Sequence, residues 1–95
     1  MNDPDLDITP QINIIASAMM EERLLEFTYT DAKGLESRRR VEPYEVKADT
    51  GIHELFAADV DKGLGLRRFR LVGMRDWSLG EAFKPSKPMK IPTGP

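Results

Sequence analysis

The sequence predicts a mostly β domain with one N-terminal helix, its strands forming a small, highly bent antiparallel sheet or barrel. Three observations carry this. Apolar residues recur at three- and four-residue spacing only between Ile12 and Arg23, the period of a single helix stripe. From Leu25 the period falls to two, with Leu25, Phe27 and Tyr29 alternating against Glu26, Thr28 and Thr30. Beyond that, glycine- and aspartate-containing breaks cut the chain into short apolar runs, as successive antiparallel strands require.

The first nine residues are polar and acidic, with Asp3, Asp5 and Asp7, and are expected to be disordered. Thr9-Pro10 fits an N-cap followed by proline at the first helical position, where its missing N–H leaves nothing unpaired. The stripe is Ile12, Ile15, Ala16, Met19 and Met20 or Arg23, and the helix should end near Glu22. Asp31-Ala32-Lys33-Gly34 has hairpin-turn chemistry after the first strand. A second strand is expected from Glu36 to Lys47, bent or ended in pairing at Pro43, because proline removes a ladder donor. Asp49-Thr50-Gly51 turns the chain into a third strand, Ile52 to Val60. Asp61-Lys62-Gly63-Leu64-Gly65 turns it into a fourth, Leu66 to Met74, and Asp76 to Leu79 forms a short fifth with Trp77 and Leu79 on one face. From Lys84 to Pro95 there are four prolines in twelve residues, which leaves an extended basic tail. The expected organisation is therefore 1–9 acidic terminus, 10–83 folded domain and 84–95 tail.

Composition narrows the function. No cysteine is present among the 95 residues, so neither disulfides nor thiolate catalysis nor cysteine-ligated zinc can contribute. No apolar run approaches the roughly 18–20 residues that cross a bilayer, and no basic, apolar leader opens the chain. A soluble cytoplasmic protein without a membrane partner is the expectation. The net charge of −2 hides a segregation: Lys62 to Lys90 carries eight basic residues against two acids, while Val41 to Asp61 carries six acids against one lysine. A pI near 5.4 argues against a high-affinity, nonspecific duplex binder, which would normally be basic overall.

Six of the eight arginines fall in two clusters, Arg38-Arg39-Arg40 and Arg67-Arg68-x-Arg70, each within a strand pattern. Side by side, the two strands would make one cationic surface, centred on Arg40, Arg68 and Arg70, with Arg38 and Lys33 or Arg75 near. The guanidinium fork binds phosphate in bidentate fashion and stacks on flat bases. Like charges opposed across strands repel, which favours an anion as their natural counterpart. The competing reading is a solvated face neutralised by Glu36, Glu42, Glu45 and Glu54. Tyr44 and Tyr29 are the stacking candidates, whereas Phe27, Phe56, Phe69 and Trp77 read as core, and Met19 and Met20 as helix packing. Catalysis is poorly supported. His53 is the sole histidine, best placed as a strand-end residue in a ligand pocket, and no serine sits in a nucleophile elbow. Asp59-Val60-Asp61 lacks the rest of a calcium loop and reads as a turn. No metal, no cofactor and no enzymatic activity are expected.

The order of these pieces resembles the WYL domain, a bacterial and phage regulatory module. The resemblance rests on Leu25-Glu-Phe27-Thr-Tyr29, on Arg39-Arg40-Val41-Glu42-Pro43-Tyr44 and on Arg68-Phe69-Arg70-Leu71. It continues through Met74 to Leu79 with Phe83 and Pro85, and spans about Ile12 to Pro85. It implies an Sm-like, SH3-type five-stranded barrel, and a ligand surface on which His53, Arg68, Arg70 and the second-strand arginine occupy matching positions. Two departures stand out. The tripeptide naming the family falls on His53-Glu54-Leu55, without its Trp and Tyr, and the Asp-Arg pair that follows the fourth strand is Val72-Gly73, with Arg75 nearby. The usual N-terminal winged helix-turn-helix is also absent, which suggests a stand-alone domain.

Two functions follow as expectations. The first is a non-enzymatic regulatory module that binds single-stranded nucleic acid or a nucleotide through Arg38, Arg40, Tyr44, His53, Arg68, Arg70 and Arg75. The second is an adaptor whose basic strands dock on an acidic protein partner or on a second copy in a homodimer. A domain that keeps the fold but has lost its ligand is a weaker third.

Overall fold

The computed structural model describes residues 7–92. It contains one helix, α1 (Thr9–Glu21), and five strands: β1 (Arg23–Thr30), β2 (Glu36–Asp49), β3 (Ile52–Asp59), β4 (Gly65–Arg70) and β5 (Met74–Ala82). Every pairing is antiparallel, and the order across the single sheet is β4-β3-β2-β1-β5. The expected barrel is not closed. β4 and β5 are the two edges and do not pair, so the sheet stays open between them. Residues 1–6, within the expected disordered terminus, and 93–95, within the tail, lie outside the described residues.

The helix starts one residue earlier than its proline suggests. Ile8 takes the N-cap position, and Pro10 falls in the first turn. The Asp7 carboxylate accepts the Thr9 N–H at 3.0 Å, and these contacts with Thr9 hold its pKa below the ordinary carboxylate value. Ile15, Ala18 and Met19 are buried, while Met20, expected to pack, is 70% exposed. Glu22 closes the helix in the left-handed region (φ 52°), and the chain passes straight into β1.

The turns follow their chemistry. The Asp31 carboxylate accepts the N–H groups of Lys33 and Leu35, and Gly34 supplies a positive φ. Thr50 and Gly51 both have positive φ, the geometry of a two-residue hairpin turn. At Pro43 the strand bends and does not end: β1 pairs with β2 up to Val41, and the β2–β3 register shifts between Pro43 and Glu45.

The fourth and fifth strands depart most from expectation. β4 stops at Arg70, a 3-10 turn covers Leu71–Gly73, and β5 begins at Met74. This turn carries the chain from one sheet edge to the other. A Cβ on Gly73 would sit 2.5 Å from the Thr30 carbonyl oxygen and 2.9 Å from the Tyr29 ring, so only glycine lets the turn pass the end of β1. Phe27, Tyr29 and Phe69 meet edge-to-face beneath it, with ring centroids 5.0–6.3 Å apart. With Ile15, Met19, Leu25, Val41, Leu55, Leu71 and Met74 they form the core, against which Trp77 and Leu79 pack. Phe56, expected there, lies outside it, because Leu55 and Ala57 take the inward positions of β3.

Residues 83–92 contain neither helix nor strand and run back along the domain. The Lys90 N–H donates to the Tyr44 carbonyl at 2.8 Å, the Ser86 N–H donates to the Tyr44 hydroxyl at 3.3 Å, and Met89 packs on the core.

Candidate functional site

The two arginine clusters are separated by a strand. β3 lies between β2 and β4, and Val41 pairs with Asp59, which pairs with Gly65 at the end of the β3–β4 ladder. Arg38 to Arg40 therefore extend past that ladder and face β1. The single cationic surface expected of adjacent clusters is corrected to two separate regions, one largely matched by acids and one without an acidic partner among the described residues.

The second-strand region is internally neutralised. Arg39 points inward, bonds the buried Asp59 carboxylate at 3.0 Å and lies 5.6 Å from the Phe69 ring centroid. The other Asp59 oxygen accepts the Asp61 N–H, capping the 3-10 turn Val60–Lys62. Arg40 pairs with Asp61 at 3.0 Å and Glu81 at 3.5 Å, and the Asp61 hydrogen bond raises its pKa further above the usual arginine value. Arg38 donates to the Thr28 hydroxyl and the Asp76 carbonyl. Arg75 pairs with Glu36 at 2.7 Å and Asp76 at 3.7 Å and bonds Thr30. The acids that neutralise this region are Glu36, as anticipated, together with Asp59, Asp61, Asp76 and Glu81.

The fourth-strand region is different. Arg67, Arg68 and Arg70 form no ion pair with an acid among the described residues, although Glu54 sits opposite Arg70 in the ladder. Arg68 pairs in register with Phe56 and lies 5.9 Å from its ring centroid, with Lys47 4.8 Å from the same ring. Phe56, Leu66, Arg67 and Arg68 line an open trough of about 460 Å³. Arg70 and His53 both line a cleft at the neighbouring end of the sheet. Together with Ile8, Gly51, Ile52 and Val72 they line a cleft of about 310 Å³ that is apolar apart from the guanidinium and the imidazole.

Of the residues anticipated from sequence, the structure thus joins His53 with Arg70 and places Arg68 beside them on β4. Arg38, Arg40 and Arg75 lie in ion-paired or hydrogen-bonded positions elsewhere. Tyr44 is 4% exposed, its hydroxyl donating to Glu42 at 2.8 Å, and this burial leaves it no free face for a base, unlike the half-buried Phe56. The aromatic residue at the arginine surface is Phe56, expected in the core, and it faces Arg68 across the β3–β4 ladder. Among the described residues, no group of three or more His, Asp or Glu is placed to hold a metal ion, and no helix is long and apolar enough to cross a membrane.

A family model for the WYL domain matches residues 10–79, well over half of the chain. The chain belongs to the WYL domain family, whose members are generally regulatory, ligand-sensing modules. Among solved structures it is similar to proteasome accessory factor B/C (PafBC) of Arthrobacter aurescens, with a TM-score of 0.72 over 96% of this chain at 20% identity. That likeness concerns the fold, and the chain spans 15% of the length of that protein. No curated protein matches the chain.

Proposed function

We propose that this WYL domain is a non-enzymatic, cytoplasmic regulatory module that binds single-stranded nucleic acid, or a nucleotide made of the same parts, through β4. The open sheet is read as a member of the Sm-like, SH3-type class with an unpaired β4–β5 seam. The observation that carries the functional reading is the division of the arginines. Arg39 and Arg40 of β2 are matched by Asp59, Asp61 and Glu81 and Arg38 is tied to the Thr28 hydroxyl and the Asp76 carbonyl, whereas the side chains of Arg67, Arg68 and Arg70 have no acidic partner among the described residues. Unneutralised guanidinium groups on one short strand repel one another until an anion joins them. Phe56 beside them supplies a flat apolar face, and base–aromatic stacking tolerates any sequence. The cleft of His53 and Arg70, apolar elsewhere, suits the end of a strand or a nucleotide whose phosphate meets Arg70 and whose base meets Ile8, Ile52 and Val72.

The test is fluorescence-anisotropy titration with labelled single-stranded DNA, single-stranded RNA and duplex at two salt concentrations. Single strands should bind more tightly than duplex, and binding should weaken with salt. Arg68→Ala combined with Arg70→Ala should abolish binding while circular dichroism reports an unchanged fold. A folded double variant with undiminished affinity would remove these residues from the site.

The adaptor reading draws on one feature. β4 is an unpaired edge, and Leu64, Leu66, Ile52 and Val72 at or beside it are each at least half exposed. The symmetric, charge-driven dimer is less favoured, since Asp59, Asp61 and Glu45 of the acidic stretch already hold Arg39, Arg40 and Lys90. Sedimentation over a range of concentrations distinguishes the two: the adaptor reading requires self-association or capture by an acidic protein, and the strand-binding reading does not.

A further inference from the structure

The trough beside Arg67 and Arg68 continues beyond Phe56 and Leu66. The same two side chains also form one wall of a cleft of about 190 Å³, whose opposite wall is the C-terminal segment, with Lys87, Pro88 and Lys90. We propose that residues 84–92 are a strap completing the binding site, so that a single strand crosses Phe56 with phosphates held by arginines on one side and by Lys87 of the strap on the other, Lys90 offsetting Glu45 in the cleft wall. This rests on the strand-binding reading above and adds a wall, a length and a set of contacts to it.

The strap is held in place by Tyr44. Its hydroxyl takes the Ser86 N–H, and its carbonyl takes the Lys90 N–H. These anchors bracket Lys87 and Pro88 and hold them against the face where Phe56 lies. Met89, half-buried between them, packs against the core, while Lys87, Pro88 and Lys90 are exposed. Proline at 85 and 88 keeps the segment extended and lowers the entropy lost on docking. Tyr44 is therefore an anchor for the site's wall and not a stacking platform, which accounts for its burial on a cationic face.

The charges continue around the apolar centre. Lys47 lies over the Phe56 ring, Lys87 over the Tyr44 ring, and Lys90 reaches Glu45 at 3.5 Å with most of its side chain in water. Lys87 has no acidic partner among the described residues. A planar apolar floor with cations on both sides suits the alternation of bases and phosphates along a strand. An acidic, apolar peptide shares part of that pattern, and the experiment separates the two.

The full chain is titrated with labelled oligothymidylates of increasing length, at several salt concentrations, alongside two variants. Arg67→Ala/Arg68→Ala tests the strand reading, and Lys87→Gln/Lys90→Gln tests the strap while preserving its length and anchors. The lysine variant is expected to match the unmodified protein on the shortest strands and to lose affinity on longer ones. Its salt slope should be shallower by about 0.7, the contribution of one phosphate contact to a single strand, since Lys87 has no acidic partner among the described residues whereas Lys90 is held by Glu45. If the arginine variant loses binding and the lysine variant keeps the original slope at every length, the strap is not part of the site, although β4 is. If the unmodified chain binds no strand, both readings fall. Saturable binding of an acidic leucine-containing peptide in place of the strand would assign the cleft to a protein partner and overturn the proposal.

Discussion

Replacing Asp59 with alanine removes two interactions made by one buried carboxylate. One oxygen holds Arg39 at 3.0 Å and the other caps the 3-10 turn through the Asp61 N–H at 3.0 Å, with the residue only 1% exposed. Losing the cap costs about 1 kcal/mol. Stranding a fully buried partner costs about 3–5 kcal/mol, but the Arg39 side chain is 25% exposed and also rests on Phe69, so about 2 kcal/mol is appropriate. The total of about 3 kcal/mol is a large share of the roughly 5–14 kcal/mol expected for a domain of this size. At about 4–8 °C per kcal/mol, the midpoint of thermal unfolding should fall by at least about 12 °C. Circular-dichroism melts of Asp59→Ala, Arg39→Met and the double variant supply the assay. The double variant should be less destabilised than the two single effects summed, because the partners act as a unit. A fall below about 4 °C, or strict additivity, would refute the assignment of Arg39 and Asp59 as a structural pair.

The other expectations concern smaller features. Phe56→Ala should weaken single-strand binding by about 5- to 150-fold, the equivalent of about 1–3 kcal/mol for one stacked base, with little change in melting; unchanged affinity would remove Phe56 from the site. Gly73→Ala should destabilise by about 1–3 kcal/mol in urea titrations, because its methyl would press on the backbone oxygen of Thr30. Gly80→Ala should be milder, since the nearest atom is the flexible end of Glu26. Asp7 should titrate below the ordinary 3.8 by NMR, because its hydrogen bonds to Thr9 favour the carboxylate. Its folded pKa being depressed, the stabilisation it gives is present above the unfolded pKa and disappears as pH falls through the folded one. Asp7→Asn should remove that part of the acid dependence.

The helix and the hairpins were legible because each rests on local signals. The switch from helical to alternating spacing falls between Arg23 and Leu25, and the glycines at 34 and 51 adopt the positive φ their turns require. The sheet order was not legible. It depends on β5 returning to β1, and the one residue that permits the return, Gly73, gives no sign in sequence of how closely Thr30 approaches it. That order separates the arginine clusters, so their electrostatics could not be read from their composition. Phe56 was misplaced because Leu55 to Ala58 is an unbroken apolar run, and such a run leaves the phase of inward and outward positions open. The burial of Tyr44 depends on a proline-rich segment 42 residues away in the chain, a distance at which no local pattern speaks.

Two cationic regions with different duties lie at the centre of this account, and salt dependence separates them most directly. The slope of log K against log salt is measured for one labelled single strand on the unmodified chain, on Arg67→Ala/Arg68→Ala and on Arg38→Ala/Arg40→Ala. The first variant should lose affinity with its slope shallower by about 1.4, as two phosphate contacts to a single strand require. The second should keep the original slope, since Arg38 and Arg40 already serve the Asp76 carbonyl, Asp61 and Glu81. A shallower slope in the second variant alone would place the ligand on β2 and contradict the division of the arginines.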